Sequence, residues 1–375
     1  MKISNISYMP VPDFGDLLAM HGRNPNEGTI AAPWCHDDER AHWYSRSAWA
    51  LADIAKWWAQ NHDNRQPRVW LPDYFCNQST EPLRRIGVHL TFYPLSESLE
   101  PDWPCCEKLA IADPPDIFIL VHYFGRAADV PAAREFTTRT NTLLVEDAVQ
   151  VLVPSADIGV HGDFTVYSPH KWLPIPDGAI LLSRQVNFRP GADDDATAPS
   201  VVSWVLKRLV QKGLPFSVRR RNRLAFLEDP AFVAYPPTPK PSLAGLRLLT
   251  RQLPALATIA TRRRQFSRNL SDIWRRTFAD HPSATSMNDV LAPDAAPYRF
   301  IVDVDDSDAA EDLYLRLNRS GVPAETWPDM PPEVLKNLSY HADAIRRRRT
   351  RLFLPVHQSV RVEDYEECLG RAADS

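Results

Sequence analysis

An acid, an amide, a hydroxyl and an amine stand at the ends of two short apolar runs in this chain. Asp147 and Gln150 follow TLLV (142–145), and Ser168 and Lys171 follow FTVY (164–167). Short apolar runs bounded by turn residues suit strands buried on both faces of a parallel sheet. Ligands of such sheets bind at the carboxyl ends of the strands, so these side chains can converge on one crevice. As a set they match one chemistry. A lysine amine condenses with an aldehyde to form a Schiff base. A carboxylate facing a pyridine nitrogen keeps it protonated and turns the ring into an electron sink. A glutamine amide can donate to a phenolic oxygen on that ring. Hydroxyls and the N–H groups of a helix N-terminus hold a phosphate. Pyridoxal 5′-phosphate carries aldehyde, pyridine, phenol and phosphate together. Taken singly, Asp147 would cap a loop and Lys171 would be a surface lysine; the ordered set is what points to a cofactor.

The elements that must position these residues read as α/β. RVWLPDYF (68–75), HLTFYPL (89–95), IFILV (117–121), TLLVED (142–147), FTVYS (164–168) and AILLS (179–183) read as strands. Between IFILV and TLLVED, Asp129 and Pro131 signal a helix start. That β-α-β unit implies a largely parallel sheet. SAWALADIAKWW (47–58) has helical apolar spacing, with Ser45 or Ser47 able to cap it. Residues 1–40, broken by Pro10, Pro12, Pro25 and Pro33, read as an irregular N-terminal arm. A large α/β domain spans 41–235, with a helix at 200–213 stopped by Gly213. The proline-rich stretch 230–242 marks a boundary. Residues 236–375 read as a smaller α+β C-terminal domain. It holds a long helix over 246–278, a strand at 298–304, a helix at 308–321 ending on Gly321, and a last strand at 352–357.

Composition narrows the function classes. The 375 residues carry a net charge of −4, with 44% hydrophobic and 24% charged residues, as in a soluble globular protein. No apolar run approaches the ~18 residues of a membrane span, and the N-terminus lacks the apolar core of a signal peptide. No global basic field invites nucleic acid; Arg219–Arg221 with Arg223, Arg262–Arg264 and Arg346–Arg349 read as solvated helix faces. Cys35, Cys76, Cys105, Cys106 and Cys368 are odd in number and form no C-x-x-C, which suits free thiols in a reducing cytoplasm. C-H-D-D-E-R-A-H (35–42) fits no strong zinc spacing, so no metal is expected. Dinucleotide and P-loop glycine motifs do not occur. His357 in L-P-V-H-Q is a candidate pocket wall. The chain has 34 prolines and only 13 glycines. Gly125, Gly159, Gly162 and Gly178 bracket the candidate residues, where close turns must pass a flat ligand.

E-D-A-V-Q (146–150), G-V-H-G-D-F-T-V-Y-S (159–168), H-K (170–171) and G-A-I-L-L (178–182) together resemble the active-site stretch of the DegT/DnrJ/EryC1/StrS aminotransferases. A-H-W-Y-S-R-S-A-W-A-L (41–51), V-W-L-P-D-Y-F-C (69–76), V-H-Y-F-G (121–125) and R-L-F-L-P-V-H-Q (351–358) extend the resemblance over about residues 40–360. It implies a fold type I pyridoxal-phosphate enzyme, most members of which aminate nucleotide-linked keto-sugars. By position, Lys171 resembles the Schiff-base lysine, Asp147 the partner of the ring nitrogen and Gln150 the neighbour of the phenolic oxygen. Ser168 resembles a phosphate ligand, with Arg46 and Ser47 in the other phosphate segment. Phe75 is the choice for the group over the ring, with Tyr74 and Cys76 beside it. An amino donor such as glutamate, a keto-sugar acceptor and a homodimer are implied as well. Two departures stand out. S-P-H-K is shorter than the family's S-F-x-x-x-K and resembles the P-H-K-W-L of group II decarboxylases. No glycine stands at Ser45 or Arg46. These keep two alternatives open: a pyridoxal-phosphate lyase or decarboxylase, and a binding or regulatory protein without turnover. His170 adds a point of interest, because some relatives place a histidine at the lysine position and dehydrate; Lys171 beside it favours transamination.

Overall fold

The computed structural model describes residues 6–155, 157–191, 201–213, 238–279, 284–286 and 295–374. Strands and helices alternate through its first half: α1 (Phe14–Ala19), α2 (Glu27–Ala31), β1 (Arg40–Tyr44), α3 (Ser47–Gln60), β2 (Arg68–Pro72), α4 (Asn77–Arg85), β3 (His89–Tyr93) and α5 (Trp103–Ala112). There follow β4 (Ile117–Val121), α6 (Val130–Arg139), β5 (Leu143–Ala148), β6 (Phe164–Tyr167), β7 (Ala179–Ser183) and α7 (Val202–Gly213). The second half holds α8 (Leu243–Gln252), α9 (Leu256–Thr277), β8 (Ala284–Ser286), β9 (Arg299–Val304), α10 (Ser307–Ser320), α11 (Pro332–Lys336), α12 (Ala342–Thr350), β10 (Arg351–Pro355) and α13 (Val362–Ala373).

Seven strands form one sheet in the order β1-β7-β6-β5-β4-β2-β3. Strands β2 to β6 pair in parallel; β7 alone runs against its neighbours β6 and β1. Every residue of β4, β6 and β7 is buried, as expected of a sheet with helices on both faces. A second, antiparallel sheet, β10-β9-β8, builds the smaller lobe. Phe300, Val302, Leu352 and Leu354 from β9 and β10 pack there against Leu313 and Leu317 of α10 and Tyr365 of α13. The mostly parallel α/β layer and the α+β lobe are those the sequence implies. Local signals act as expected: the Asp129 side chain accepts the Ala132 N–H at the start of α6, and Gly321 closes α10 with φ 104°.

Five expectations need correction. The long helix over 246–278 is two helices, because Pro254 supplies no N–H and a short 3-10 turn, Leu253–Ala255, interrupts them. The strand read as 68–75 ends at Pro72, and the last strand is Arg351–Pro355. Residues 6–39 hold α1 and α2 and are fastened down. Asp16 accepts from Arg251 and Gln252 of α8, and Ser7 offers its carbonyl to His357. His357 is therefore a buried brace and not a pocket wall. Its Nε2 donates to Ser7 O at 2.7 Å, its Nδ1 accepts from Ser359 N–H at 3.3 Å, and burial pushes its pKa down to about 3. The expected boundary at 235/236 and the cluster Arg219–Arg221 with Arg223 lie outside the described residues.

Candidate active site

The parallel register of β5 and β6 sets Asp147 against Val166 and Ala148 against Tyr167. Asp147 and Ser168 therefore leave the sheet at adjacent strand ends. Beyond Ser168 the chain makes a tight 3-10 turn, Pro169–Lys171, in which Lys171 N–H donates to Ser168 O at 3.0 Å. His170 holds the turn from the side. Its backbone N–H (3.3 Å) and its ring Nδ1 (3.0 Å) both point to Gly178 O. A carbonyl only accepts, so the ring proton is assigned to Nδ1. Burial first, then the charges of Arg46 and Lys171, drive the His170 pKa well down, so the imidazole is neutral.

The same turn is tied to the start of α3. Gly178 N–H donates to Ser45 O at 3.1 Å, and the Arg46 guanidinium donates to Ser45 O (2.8 Å) and Pro176 O (3.2 Å). Arg46 is the N-cap of α3 with φ −145° and ψ 150°, extended backbone that any residue adopts. The helix entry thus needs no glycine, and no side chain caps it. The Trp49 N–H turns back to Arg46 O at 3.2 Å, and Gly178, which bonds to both Ser45 and His170, links the helix entry to the Ser168–Lys171 turn. Ser47 opens the helix and is buried. Ser45 looks the other way, its N–H and hydroxyl spent on Pro239 O and Thr238 O.

Asp147 is 3% exposed and accepts one hydrogen bond, from Val149 N–H to Oδ1 at 3.1 Å. Burial raises its pKa, against the opposing charge of Lys171, the Val149 N–H and His122. Lys171 is half-buried, and among the described residues its amine closes no ion pair or hydrogen bond. Acid and amine sit in each other's field without touching. Gln150 spends its Oε1 on the Phe124 N–H at 2.8 Å, which leaves its NH2 to donate. That contact needs an unusual backbone. Phe124 has φ 58° and Gly125 φ 92°, and a Cβ on Gly125 would stand 2.3 Å from Ala296 O. Ser168 is fully buried, and its hydroxyl has no partner among the described residues.

The loop after β2 places three candidates differently. Tyr74 is fully buried and stacks on Trp327 at 4.2 Å. Phe75 packs into the core of the large lobe. Cys76 is half-buried and lies in the field of Lys171. Burial first, then Asp329, pushes its thiol up to about 12. Sequence reasoning missed Asp329, whose carboxylate accepts Asn77 N–H (2.9 Å) and Gln78 N–H (3.2 Å) from the smaller lobe. It also assigned nothing to Glu146 and His122, although both lie in quoted motifs. Among the described residues no cluster of His, Cys, Asp and Glu could hold a metal, and no helix is long and apolar enough to cross a membrane.

No family model matches the chain, and no curated protein matches it. Solved structures do. PseC of Helicobacter pylori, an aminotransferase of pseudoaminic acid biosynthesis, aligns over 99% of this chain and 98% of its own with a TM-score of 0.71 at 12% identity. TlmJ of Streptoalloteichus hindustanus, an aminotransferase, aligns over 98% of both chains with a TM-score of 0.69 at 18% identity. The GDP-4-keto-6-deoxy-D-mannose-3-dehydratase of E. coli, with hydrated pyridoxal phosphate bound, covers 97% of this chain and 99% of its own at 14% identity and a TM-score of 0.64. At these identities the likeness is one of fold. The chain has the fold of type I pyridoxal-phosphate aminotransferases along nearly its whole length.

Proposed function

We propose that the chain is a pyridoxal-phosphate-dependent aminotransferase of the DegT/DnrJ/EryC1/StrS kind, moving an amino group from an amino acid such as glutamate to a keto-sugar. One observation carries this reading. Asp147 and Lys171 lie in each other's field at the sheet's carboxyl edge, yet no ion pair closes between them. An acid and an amine kept apart in this way suit a flat ring that needs a carboxylate at its nitrogen and an amine at its aldehyde. The groups around them offer hydrogen bonds of the matching kind: the NH2 of Gln150, the buried Ser168 hydroxyl, which has no partner among the described residues, and the start of α3, which no side chain caps.

When bound, pyridoxal phosphate supplies an aldehyde that condenses with amines and a protonated ring that accepts electrons. Asp147 would hold the ring-nitrogen proton. Its charge, disfavoured by burial, becomes favourable beside a cation. Gln150 would donate its NH2 to the phenolic oxygen. Ser168, Ser47, Arg46 and the first N–H groups of α3 would hold the phosphate, with the helix dipole adding to the attraction. Cys76, which lies in the field of Lys171, would be the member of 74–76 next to the ring, in place of Phe75 in the core. Lys171 would anchor the cofactor at rest. Once displaced by the amino donor, it would be the base that takes the proton from the donor's Cα and hands it to the carbon that was the cofactor's aldehyde.

Within the same reading the acceptor is a nucleotide-linked keto-sugar, and the protein is a cytoplasmic homodimer. The family resemblance supports the first and last, and the five free cysteines support the compartment. The test begins with the purified chain and pyridoxal phosphate. Visible absorbance should develop, convert on adding L-glutamate with release of 2-oxoglutarate, and fail to develop in Lys171→Ala. A chain that binds no cofactor, or whose absorbance no amino donor changes, contradicts the proposal. The dehydratase among its structural likenesses and the P-H-K-W-L turn favour one competitor, a lyase. Carbon dioxide or an eliminated product without 2-oxoglutarate would select it.

A further inference from the structure

We propose that Glu146 and His122 are positioning residues that set Asp147 and the Lys171 turn at the spacing the cofactor requires; this rests on the reading above. Side chains alternate along a strand, so Glu146 points to the opposite face of β5 from Asp147. It is fully buried there and accepts four hydrogen bonds. Oε2 takes Gly159 N–H at 2.7 Å and His122 Nε2 at 3.0 Å; Oε1 takes Gly162 N–H at 2.6 Å and His161 N–H at 3.1 Å. The loop that leads into β6 is thereby wrapped on one carboxylate. Two glycines make the wrap possible. A Cβ on Gly162 would stand 2.6 Å from Phe164 O and 3.1 Å from Glu146 itself, and Gly159 has φ 81° with Tyr167 Oη 2.7 Å from a would-be Cβ. Strand β6 then runs straight to Ser168 and Lys171.

His122 closes the other side. It follows β4 directly, and its backbone N–H donates to Asp147 O at 3.0 Å. Its Nδ1 accepts Ala128 N–H at 3.1 Å, which assigns the ring proton to Nε2, facing Glu146. One histidine thus grips the backbone of the acid and the side chain of its neighbour. Burial works to raise the pKa of Glu146, but the His122 hydrogen bond, with the Gly159 and Gly162 N–H groups, brings it below the ordinary value. The hub is a carboxylate, and all four of its partners are donors. Misplacing a reacting group by about 1 Å can cost on the order of 100-fold in rate, so bracing of this kind bears on turnover.

Glu146→Gln tests it. The amide must turn an NH2 toward one pair of donors, so that side of the wrap is lost. The variant should bind pyridoxal phosphate about 10- to 100-fold more weakly, as outer-shell changes do elsewhere. It should also shift the pH midpoint of the bound cofactor's absorbance, which reports the Lys171–Asp147 surroundings. Leu144→Ala, which trims a buried apolar β5 side chain and leaves its backbone bonds to Asp163 in place, should lower Tm but leave that midpoint in place. If Glu146→Gln does not fold, His122→Leu, which removes one donor of four and keeps the loop wrap, should move both quantities in the same direction. Wild-type affinity and an unmoved midpoint in the variant that folds would overturn this inference alone. A wild-type chain that takes up no pyridoxal phosphate overturns the proposed function and this inference with it.

Discussion

Asp147→Asn should act in opposite directions on the chain without cofactor and on the loaded protein. In the fold Asp147 is 3% exposed, and its carboxylate accepts one hydrogen bond, from Val149 N–H. Burial raises its pKa above the ordinary 3.8 despite the opposing Lys171 charge, the Val149 N–H and His122. The folded chain therefore holds this proton more tightly than the unfolded chain. Stability falls as pH rises from 3.8 through the raised folded value. Asparagine keeps the acceptor for Val149 and removes the charge. Relieving such a site residue commonly returns about 0.5–2 kcal/mol, a rise of roughly 1–3 °C in Tm for a chain of this length. With cofactor the sign reverses. A charge-assisted hydrogen bond to the ring nitrogen, about 1.5–3 kcal/mol, is exchanged for a neutral one of about 0.5–1.5 kcal/mol, a loss of about 1–1.5 kcal/mol, so affinity drops roughly 5- to 13-fold. Calorimetry of both proteins without cofactor at neutral pH, repeated as pH approaches 3.8, should show an advantage for the variant that fades in acid. Titration with pyridoxal phosphate supplies the second number. A variant that melts below the wild type at neutral pH, or binds the cofactor equally well, refutes the reasoning.

Ser168→Ala should follow the same logic: removing a buried hydroxyl without a partner relieves about 1 kcal/mol of desolvation, so Tm holds or rises while cofactor affinity falls about tenfold. A Tm loss of several degrees with unchanged affinity would make Ser168 structural. Gly125→Ala should destabilise by about 1–3 kcal/mol, because φ 92° disfavours any Cβ and this one meets Ala296 O at 2.3 Å. Denaturant unfolding reads the loss, and a variant within error of the wild type would show that the turn bearing the Phe124 N–H relaxes freely. Cys76, with its thiol pushed up to about 12, should resist alkylation at neutral pH and react faster in Asp329→Asn. Rapid labelling of Cys76 in the wild type, located by mass spectrometry, would contradict its placement.

What was legible in the sequence, and what was not, follows the range of the interactions involved. Strands β4 to β7 declare themselves, because a short apolar run between turn residues has few other homes, and with them come the strand ends that carry Asp147 and Ser168. Strand β1 does not. Its R-A-H-W-Y is half exposed, and its pairing of Arg40 with Ser183 joins distant stretches of chain. Helix α4 is harder still. It holds Pro82 in its interior, and the Cys76 side chain does not cap its start, so local signals read as loop. The bonds a cap would normally supply come from Asp329, 252 residues away. A group delivered across the two lobes leaves no mark near the element it stabilises. For that reason the choice among Tyr74, Phe75 and Cys76 could not be made from the segment itself.

The two departures from the family pattern have physical compensations, and these bear on function. A glycine at the start of α3 would matter if the backbone there needed a left-handed turn; Arg46 is extended, and the helix start is left uncapped for an anion without one. Glycine is kept for Gly125, Gly159 and Gly178, where φ is positive, and for Gly162, which Glu146 draws too close for any Cβ. The short S-P-H-K spacing is met in a similar way. A three-residue turn has little backbone to spare for anchoring itself to the next strand, and His170 makes up the difference by giving both its N–H and its Nδ1 proton to Gly178 O. With its pKa driven down and one ring nitrogen committed, His170 is suited to holding the turn, and the amine of Lys171 is left as the basic group at its end. The shortened loop is therefore compatible with the proton transfers of transamination and does not by itself argue for a different reaction.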